Sequence, residues 1–461
     1  MGGMQISGED RKRPIGYGIL ALMVFGTILG GLLQNAVSTV LPAIMAETHV
    51  TVGMAQWLVT MFQLCLGIVI PLVAFLVRRF DVKTLFVLAT ALFAAGTYLV
   101  AAADTFPLIF AGRFLEGIAA GVSFPLIQVV VFQNYPRNRW GTIMGIVGLA
   151  FGFAPNIGPT LAGMCADAWG WRSMFWGVAV LSTAAAALMA ALLPRGMVGG
   201  EAHKLDWPSV GLSTLGFGGV LLSFTNATDA GPLSPECLVP LVIGVVCTVV
   251  FLWRQRRIPN PLWDLDAFHD RDFTVGTIMV CLLFSAFIGV TLVLPLGMQE
   301  VQGFTALEAG IALLPGTIAA LIMTPLSGIL MDRIGVRPVI CFGSVLLVAG
   351  TIPMMQLGEM NDLVTIMLLQ GVRTFGISSL IQPISTWSVR SLHGRLIPDG
   401  TSISNTLRQV AAALGTSVMV LLMAVGATPG HVSAFGVDIA VGFSAACALA
   451  LLVLSFAFVR K

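Results

Sequence analysis

Residues 328–337 read GILMDRIGVR, and residues 74–83 read AFLVRRFDVK. Both stretches place leucine third, arginine sixth and a basic residue tenth, and both lie between long apolar runs. Two short polar loops of one pattern in otherwise apolar sequence point to an internal repeat.

The surrounding sequence is that of a membrane protein. The chain has 461 residues, 57% apolar and only 10% charged, against roughly 25% charged in a soluble domain. A soluble fold must wet its exterior, whereas a bilayer removes that demand. A hydrocarbon core of about 30 Å is crossed by roughly 20 helical residues. Runs of that kind lie near 16–38, 53–77, 84–103, 106–134, 140–165, 171–193, 207–226 and 238–254. Six more lie near 274–298, 306–331, 337–357, 362–388, 398–425 and 437–459. The total is fourteen, and the two loops follow the second and tenth spans. An offset of eight is explained by a six-plus-six repeat with two helices inserted in the middle. The expected division is an N-terminal six-helix bundle (1–193), linkers with two extra helices (194–273) and a C-terminal six-helix bundle (274–461). The stretches 194–206 and 255–273 are the most polar long segments and are expected to be linkers.

Lysine and arginine orient such a chain, because cytoplasmic loops carry the excess. With the N-terminus inside, residues 11, 12, 13, 78, 79, 83, 137, 139, 195, 204, 254, 256, 257, 271, 333, 337, 390, 395, 460 and 461 fall on the cytoplasmic side, 20 of the 24 basic residues. Arg113, Arg373 and Arg408 lie within spans, and Arg172 alone remains outside. Both termini are then cytoplasmic, and the expected location is the cell inner (cytoplasmic) membrane, crossed many times by one monomer. The basic start followed by an apolar run resembles a signal peptide, but the run is too long and has no small-residue cleavage site. The seven cysteines show no CxxC spacing and the five histidines no metal-ligand spacing. No basic tract or aromatic platform points to nucleic acid, and no metal site or cofactor is expected.

Polar residues inside a span need a reason. Glu116 is the one carboxylate expected near the middle of a span, with Arg113 three residues earlier on the same helical face. Burial penalises a carboxylate's charge while a neighbouring arginine favours it. Two readings stay open: Glu116 loads and releases a proton, or the two form a permanent ion pair. Gln34 and Asn35 either line a cavity or bridge neighbouring helices. Arg408 is expected to have structural partners, while Arg373 is a candidate for an anionic substrate group. Phe151, Phe153, Phe284, Phe287 and Met298 are expected to give a cavity its soft lining. Gly141, Gly145, Gly148 and Gly152 recur at helical spacing in the fifth span, where they allow close backbone approach. Pro155 and Pro159 each remove an intrahelical hydrogen bond, so that helix should bend near its outer end.

These residues resemble the major facilitator superfamily. Gly328, Leu330, Asp332, Arg333, Gly335 and Arg337 match its loop signature G-x-L-x-D-R-x-G-x-R. In the N-terminal copy Ala74, Arg78 and Asp81 replace Gly, Asp and Gly, beside a retained Arg79. The resemblance implies a gating role for the loop; the departures leave the N-terminal copy either as part of the gate or as a plain basic turn. LIFAGRFLEG in the fourth span is similar to L-x-x-x-R-x-x-Q-G, with Glu116 at the usual glutamine. Gly158, Pro159 and Gly163 lie in a stretch that resembles the antiporter signature G-P-x-x-G-G, with Ala162 as a departure. The helix-1 pattern L-D-x-T-x-x-N-x-x-L-P is present without its aspartate, whose position is Leu33. LPLGMQEVQGFTALEAGIALLPG and NTLRQVAAALG also resemble the fourteen-helix drug:proton antiporter branch, lincomycin-resistance-type pumps included.

The resemblance implies an all-α membrane protein of the major facilitator fold that exports lipophilic or amphipathic drugs against protons by alternating access. The proton gradient, not a cofactor, would drive it. Two alternatives are export of an endogenous lipid or fatty acid, and proton symport, which the Gly-Pro signature disfavours. No enzyme is expected, since paired carboxylates, HExxH and nucleophile motifs are missing from the sequence.

Overall fold

The computed structural model describes residues 16–194, 196, 206–229, 231, 233–259, 261–360, 362–426 and 433–459. The basic residues 11, 12, 13, 195, 204, 460 and 461, and His203 and His431, lie outside the described residues.

Among the described residues there is no strand, and fourteen helices are long and apolar enough to cross a membrane. They are α1 Tyr17–Thr48, α2 Val52–Arg79, α3 Val82–Ala102, α4 Phe106–Asn134, α5 Arg137–Trp169, α6 Arg172–Leu192 and α7 Trp207–Ala227. They continue with α8 Pro235–Gln255, α9 Arg271–Glu300, α10 Glu308–Ile334, α11 Val336–Glu359, α12 Leu363–Arg390, α13 Gly394–Met423 and α14 Ala434–Phe458. Each expected span is a helix. The largest boundary difference is at α1, which runs ten residues past 38. It passes through Pro42 and ends where His49 turns left-handed at φ 54°.

The helices form two bundles. In the first, α3 packs on α4 and α6, α2 on α4, and α1 on the outer half of α5. In the second, α10 and α11 pack on α12, and α9 packs on α13, α14 and α12. The bundles meet through two equivalent pairs, α5 with α10 and α2 with α13, as the eight-helix offset of the repeat requires. The inserted helices α7 and α8 pack on each other; α7 also touches α2 and α13, one helix from each bundle.

The contact between bundles is concentrated at the end that carries the two basic loops. There one apolar core runs through both bundles, joining Phe132, Trp140 and Val147 to Phe273, Ile397 and Ile403. At the opposite end the bundles keep separate cores, one around Leu33, Phe62 and Ala162 and one around Val293, Met298 and Met354. The seam itself is built on glycine. A Cβ added to Gly141 would come within 2.5 Å of the Gly328 carbonyl oxygen, and one on Gly145 within 2.9 Å of the Pro325 oxygen. Backbones therefore touch directly, which packing in a membrane favours.

Helix α5 changes partner along its length. Its inner half packs on α10, a π turn follows at Leu149–Phe153, and its outer half packs on α1. The turn stands just before Pro155, where the missing N–H already breaks the hydrogen-bond ladder. The irregular turn thus lies at the middle of the helix, on the inner side of both prolines. Pro159 likewise removes the donor for the Pro155 carbonyl, and the Asn35 amide supplies it instead at 3.3 Å.

Candidate functional site

The buried pair in α4 has the geometry its spacing predicts. Arg113 Nη1 donates to Glu116 Oε2 at 2.6 Å, and both side chains are fully buried. Arg113 also donates to the Leu33 carbonyl of α1 (3.1 Å) and the Leu58 carbonyl of α2 (3.1 Å), and stacks 4.5 Å over the Phe62 ring. The arginine therefore ties three helices to one carboxylate. Among the described residues Glu116 Oε1 is buried with no hydrogen-bond partner, and the Thr97 hydroxyl beside this carboxyl donates to the Phe93 carbonyl instead, at 2.8 Å. Helix α3 closes over the pair, since a Cβ on Gly96 would lie 3.0 Å from the Glu116 amide nitrogen. Leu33, at the position of the helix-1 acid, is fully buried and offers only its carbonyl to Arg113.

The remaining polar side chains divide differently from the expectation. Arg373 is fully buried and donates to the Ala286 carbonyl (2.7 Å), the Phe287 carbonyl (3.5 Å) and Gln370 (3.5 Å). It stitches α12 to α9. Arg408 makes no hydrogen bond or ion pair among the described residues; its guanidinium lies 5.4 Å from the Phe151 ring and 5.0 Å from the Phe284 ring. The structural partners expected for Arg408 belong to Arg373, because the α12 face bearing Arg373 looks at backbone and the α13 face bearing Arg408 looks between the bundles. Phe151, Phe284 and Phe287 gather here, with Phe284 edge-on to Phe287 at 6.3 Å. Phe153 is half-buried in the π turn. Met298 is fully buried in the outer core of the second bundle, away from this group. Gln34 reaches Gln63 at 3.4 Å, and both it and Asn35 are part-buried. Of the glycine–proline residues, Gly145 packs on α10, Pro155 and Gly158 are buried against α1, and Pro159 and Gly163 are half-buried.

At the basic end the loops hold the bundles together. Asp332 accepts from the backbone amides of Gly141 (3.0 Å) and Thr142 (2.6 Å), at the start of α5. A carboxylate there meets unsatisfied amides and the positive end of the helix dipole. Gly335, with φ 93°, makes the turn into α11 in a conformation glycine alone adopts readily. Arg333 and Arg337 are exposed.

The N-terminal loop makes the matching contact with reversed charge. Arg79, the expected gating residue, is exposed; Arg78 makes the contact instead. Helical register explains this, since position five of each loop faces the other bundle and position six faces away. Arg78 Nη1 meets Asp399 in the first turn of α13 at 2.7 Å, and Nη2 donates to the carbonyls of Pro261 (2.8 Å) and Leu262 (3.1 Å). Asp399 is 1% exposed and also accepts from the Asp264 amide at 3.1 Å.

Sequence reasoning missed Asp399, although a signal existed. Gly141-Thr142 and Gly400-Thr401 stand at equivalent places at the heads of α5 and α13. Asp399 precedes the second pair where Trp140 precedes the first, so an acid appears opposite the loop that lost one.

The stretch after α8 is no loose linker. Trp263 is 2% exposed, packs against Phe217 of α7 and Phe251 of α8, and donates to the Pro71 carbonyl and Ser402, both at 3.2 Å. It braces the Arg78–Asp399 contact from the side of the inserted hairpin. That hairpin is closed by Asp206 and Arg254, with two bonds of 2.8 Å; this guanidinium holds the Asp206 carboxyl below the usual carboxylate range. Further across the seam, Asn405 donates to Gln128 at 2.8 Å and Gln133 to the Gly394 carbonyl at 3.4 Å.

Comparisons with known proteins agree with this architecture. A family model described as Major Facilitator Superfamily matches residues 23–416. The uncharacterized MFS-type transporter YcnB of Bacillus subtilis is 34% identical over 95% of this chain and 94% of its own length. The lincomycin resistance protein LmrB of Listeria monocytogenes is 31% identical, covering 92% of this chain and 89% of its own. Among solved structures, the human organic anion transporter MFSD10 superposes with a TM-score of 0.69 over 96% of this chain and 100% of that one, at 13% identity, which speaks for the fold alone. With the family match spanning most of its length, this multi-pass chain belongs to the Major Facilitator Superfamily of membrane transporters.

Proposed function

We propose that the chain exports lipophilic or amphipathic small molecules across the cytoplasmic membrane in exchange for protons, by alternating access of a site between its two bundles. The single observation that carries the proton half is the Glu116 carboxylate. One oxygen is held by Arg113 and the other is buried without a partner. A carboxylate oxygen buried without a partner is costly, and a proton on Oε1 would remove the negative charge that burial penalises. Arg113, bonded to the carbonyls of α1 and α2, keeps the site assembled in both states. The efflux half is supported by the likeness to lincomycin resistance proteins over nine-tenths of the chain.

In this reading the basic end is cytoplasmic, both termini lie inside, and Asp332 and Arg78 latch the cytoplasmic side while the outer ends stand apart. Proton entry from outside and substrate entry from inside then alternate as the latch opens and closes. The monomer suffices. Export of an endogenous lipid or fatty acid is the second reading, favoured by the fully buried Leu33 where the branch carries an acid.

Purified protein in proteoliposomes, tested with a panel of dyes, lincosamide-like drugs and fatty acids under an imposed pH gradient, separates the two. Glu116→Gln is expected to abolish gradient-driven flux of whichever substrate is moved while leaving equilibrium binding measurable. Normal flux in Glu116→Gln would place the proton on another group.

A further inference from the structure

The least satisfied charge between the bundles is Arg408. A guanidinium carries five N–H donors and no acceptor, and none of those of Arg408 is used by a described residue. The residue is 7% exposed, and its Nε is buried with no partner among the described residues. The terminal nitrogens are not among the enclosed atoms, so they reach accessible space. Arg373 shows the contrast: one helix away, a fully buried arginine is bonded to two carbonyls and an amide oxygen. A cation in a membrane interior without a carboxylate is retained for a function.

The rings flanking Arg408 come from different bundles. Phe151 sits in the π turn of α5, braced by Phe124 at 5.1 Å, and Phe284 sits on α9. Both rings face the guanidinium, which orients it through cation–π attraction but offers no acceptor in the plane of its N–H groups. One turn below, the Asn405–Gln128 hydrogen bond closes the seam between bundles. Arg408 is therefore the first charged group above the closed end, between two flat apolar walls.

We propose that Arg408 anchors an anionic group of the transported molecule, with Phe151 and Phe284 clasping its apolar body; this rests on the efflux reading and narrows it to amphipathic monoanions. A carboxylate or phosphate accepts two parallel N–H bonds from a guanidinium, satisfying donors that the protein leaves open. Because one wall belongs to each bundle, an occupant touches both moving halves at once. The anionic head belongs either to a drug-sized molecule or to a lipid.

The test is binding rather than transport. Full-length protein in phosphatidylcholine nanodiscs is titrated with 11-(dansylamino)undecanoic acid and with its methyl ester, with empty nanodiscs to correct for partitioning. Wild type should bind the acid about 10- to 100-fold more tightly than the ester, the usual worth of a charge-assisted hydrogen bond. Arg408→Gln should erase that preference, and Arg408→Lys should keep part of it. Equal affinity for acid and ester in wild type would overturn the proposal without any variant, as would an unchanged preference in Arg408→Gln. Adding phosphatidylglycerol to the nanodiscs tells the sources apart: displacement of the probe assigns the site to a lipid headgroup, and persistence to a drug-sized anion. Acid-selective binding without pH-driven flux in proteoliposomes would remove the exchange reading and leave the subsite standing.

Discussion

Replacing Arg78 by alanine should open the basic end. The Asp399 side chain is 1% exposed and Arg78 is 18% exposed, so the contact is largely dry. Without Arg78, Asp399 keeps only the Asp264 amide among the described residues. Leaving a buried charge unpaired costs about 3–5 kcal/mol, and the partial exposure of Arg78 argues for the lower figure, about 3 kcal/mol. When the basic end opens, Asp399 is hydrated and the penalty disappears. The closed population should therefore fall about 100-fold relative to the open one, at about 1.4 kcal/mol per factor of ten. The double variant Arg78→Ala, Asp399→Ala removes the stranded charge and should recover most of the closed population. The distance between spin labels at the exposed positions 79 and 395, in a background without the seven cysteines, reports this directly. A distance distribution in Arg78→Ala matching the wild-type one, or a double variant as open as the sum of the singles, would refute the reasoning.

Other perturbations follow from the same contacts. Asn35→Leu strands the Pro155 carbonyl and should lower stability by about 1–3 kcal/mol in thermal unfolding; adding Pro159→Ala restores a donor within α5 and should recover much of it, and no recovery would separate the two residues. Gly328→Ala drives a Cβ into the Gly141 carbonyl, so overpacking of about 1–3 kcal/mol should shift the same spin-label distance toward the open form. Arg373→Gln should lower thermal stability by about 1–3 kcal/mol through its lost carbonyl bonds while leaving substrate Kd unchanged; a tenfold weaker Kd would move Arg373 to the substrate.

Much of the fold was legible because membrane helices announce themselves one at a time. Each span is a run of apolar residues long enough to cross, so fourteen runs predict fourteen helices. The largest difference is the end of α1, expected near residue 38, where the helix instead continues through Pro42 to Thr48. Arg113 and Glu116 were legible for the same local reason, three residues apart on one helix. Contacts between helices were not. Spacing within the tenth-position loop pattern does not tell that position five faces the other bundle, so Arg79 was favoured over Arg78. The different fates of Arg373 and Arg408 depend on which neighbour each helix face meets, which no window of one helix contains. Trp263 was hidden likewise: a polar stretch after α8 reads as a tether, and its burial depends on the α7–α8 hairpin folding back over α2 and α13.

In the proposed exchange the Glu116 carboxyl gives up its proton when substrate binds. Adding substrate to purified protein in weakly buffered solution and recording pH tests it with no gradient or flux involved. Substrate binding should release protons from the wild type and none from Glu116→Gln, although both bind. Equal proton release from the two proteins, or none from either, would contradict it.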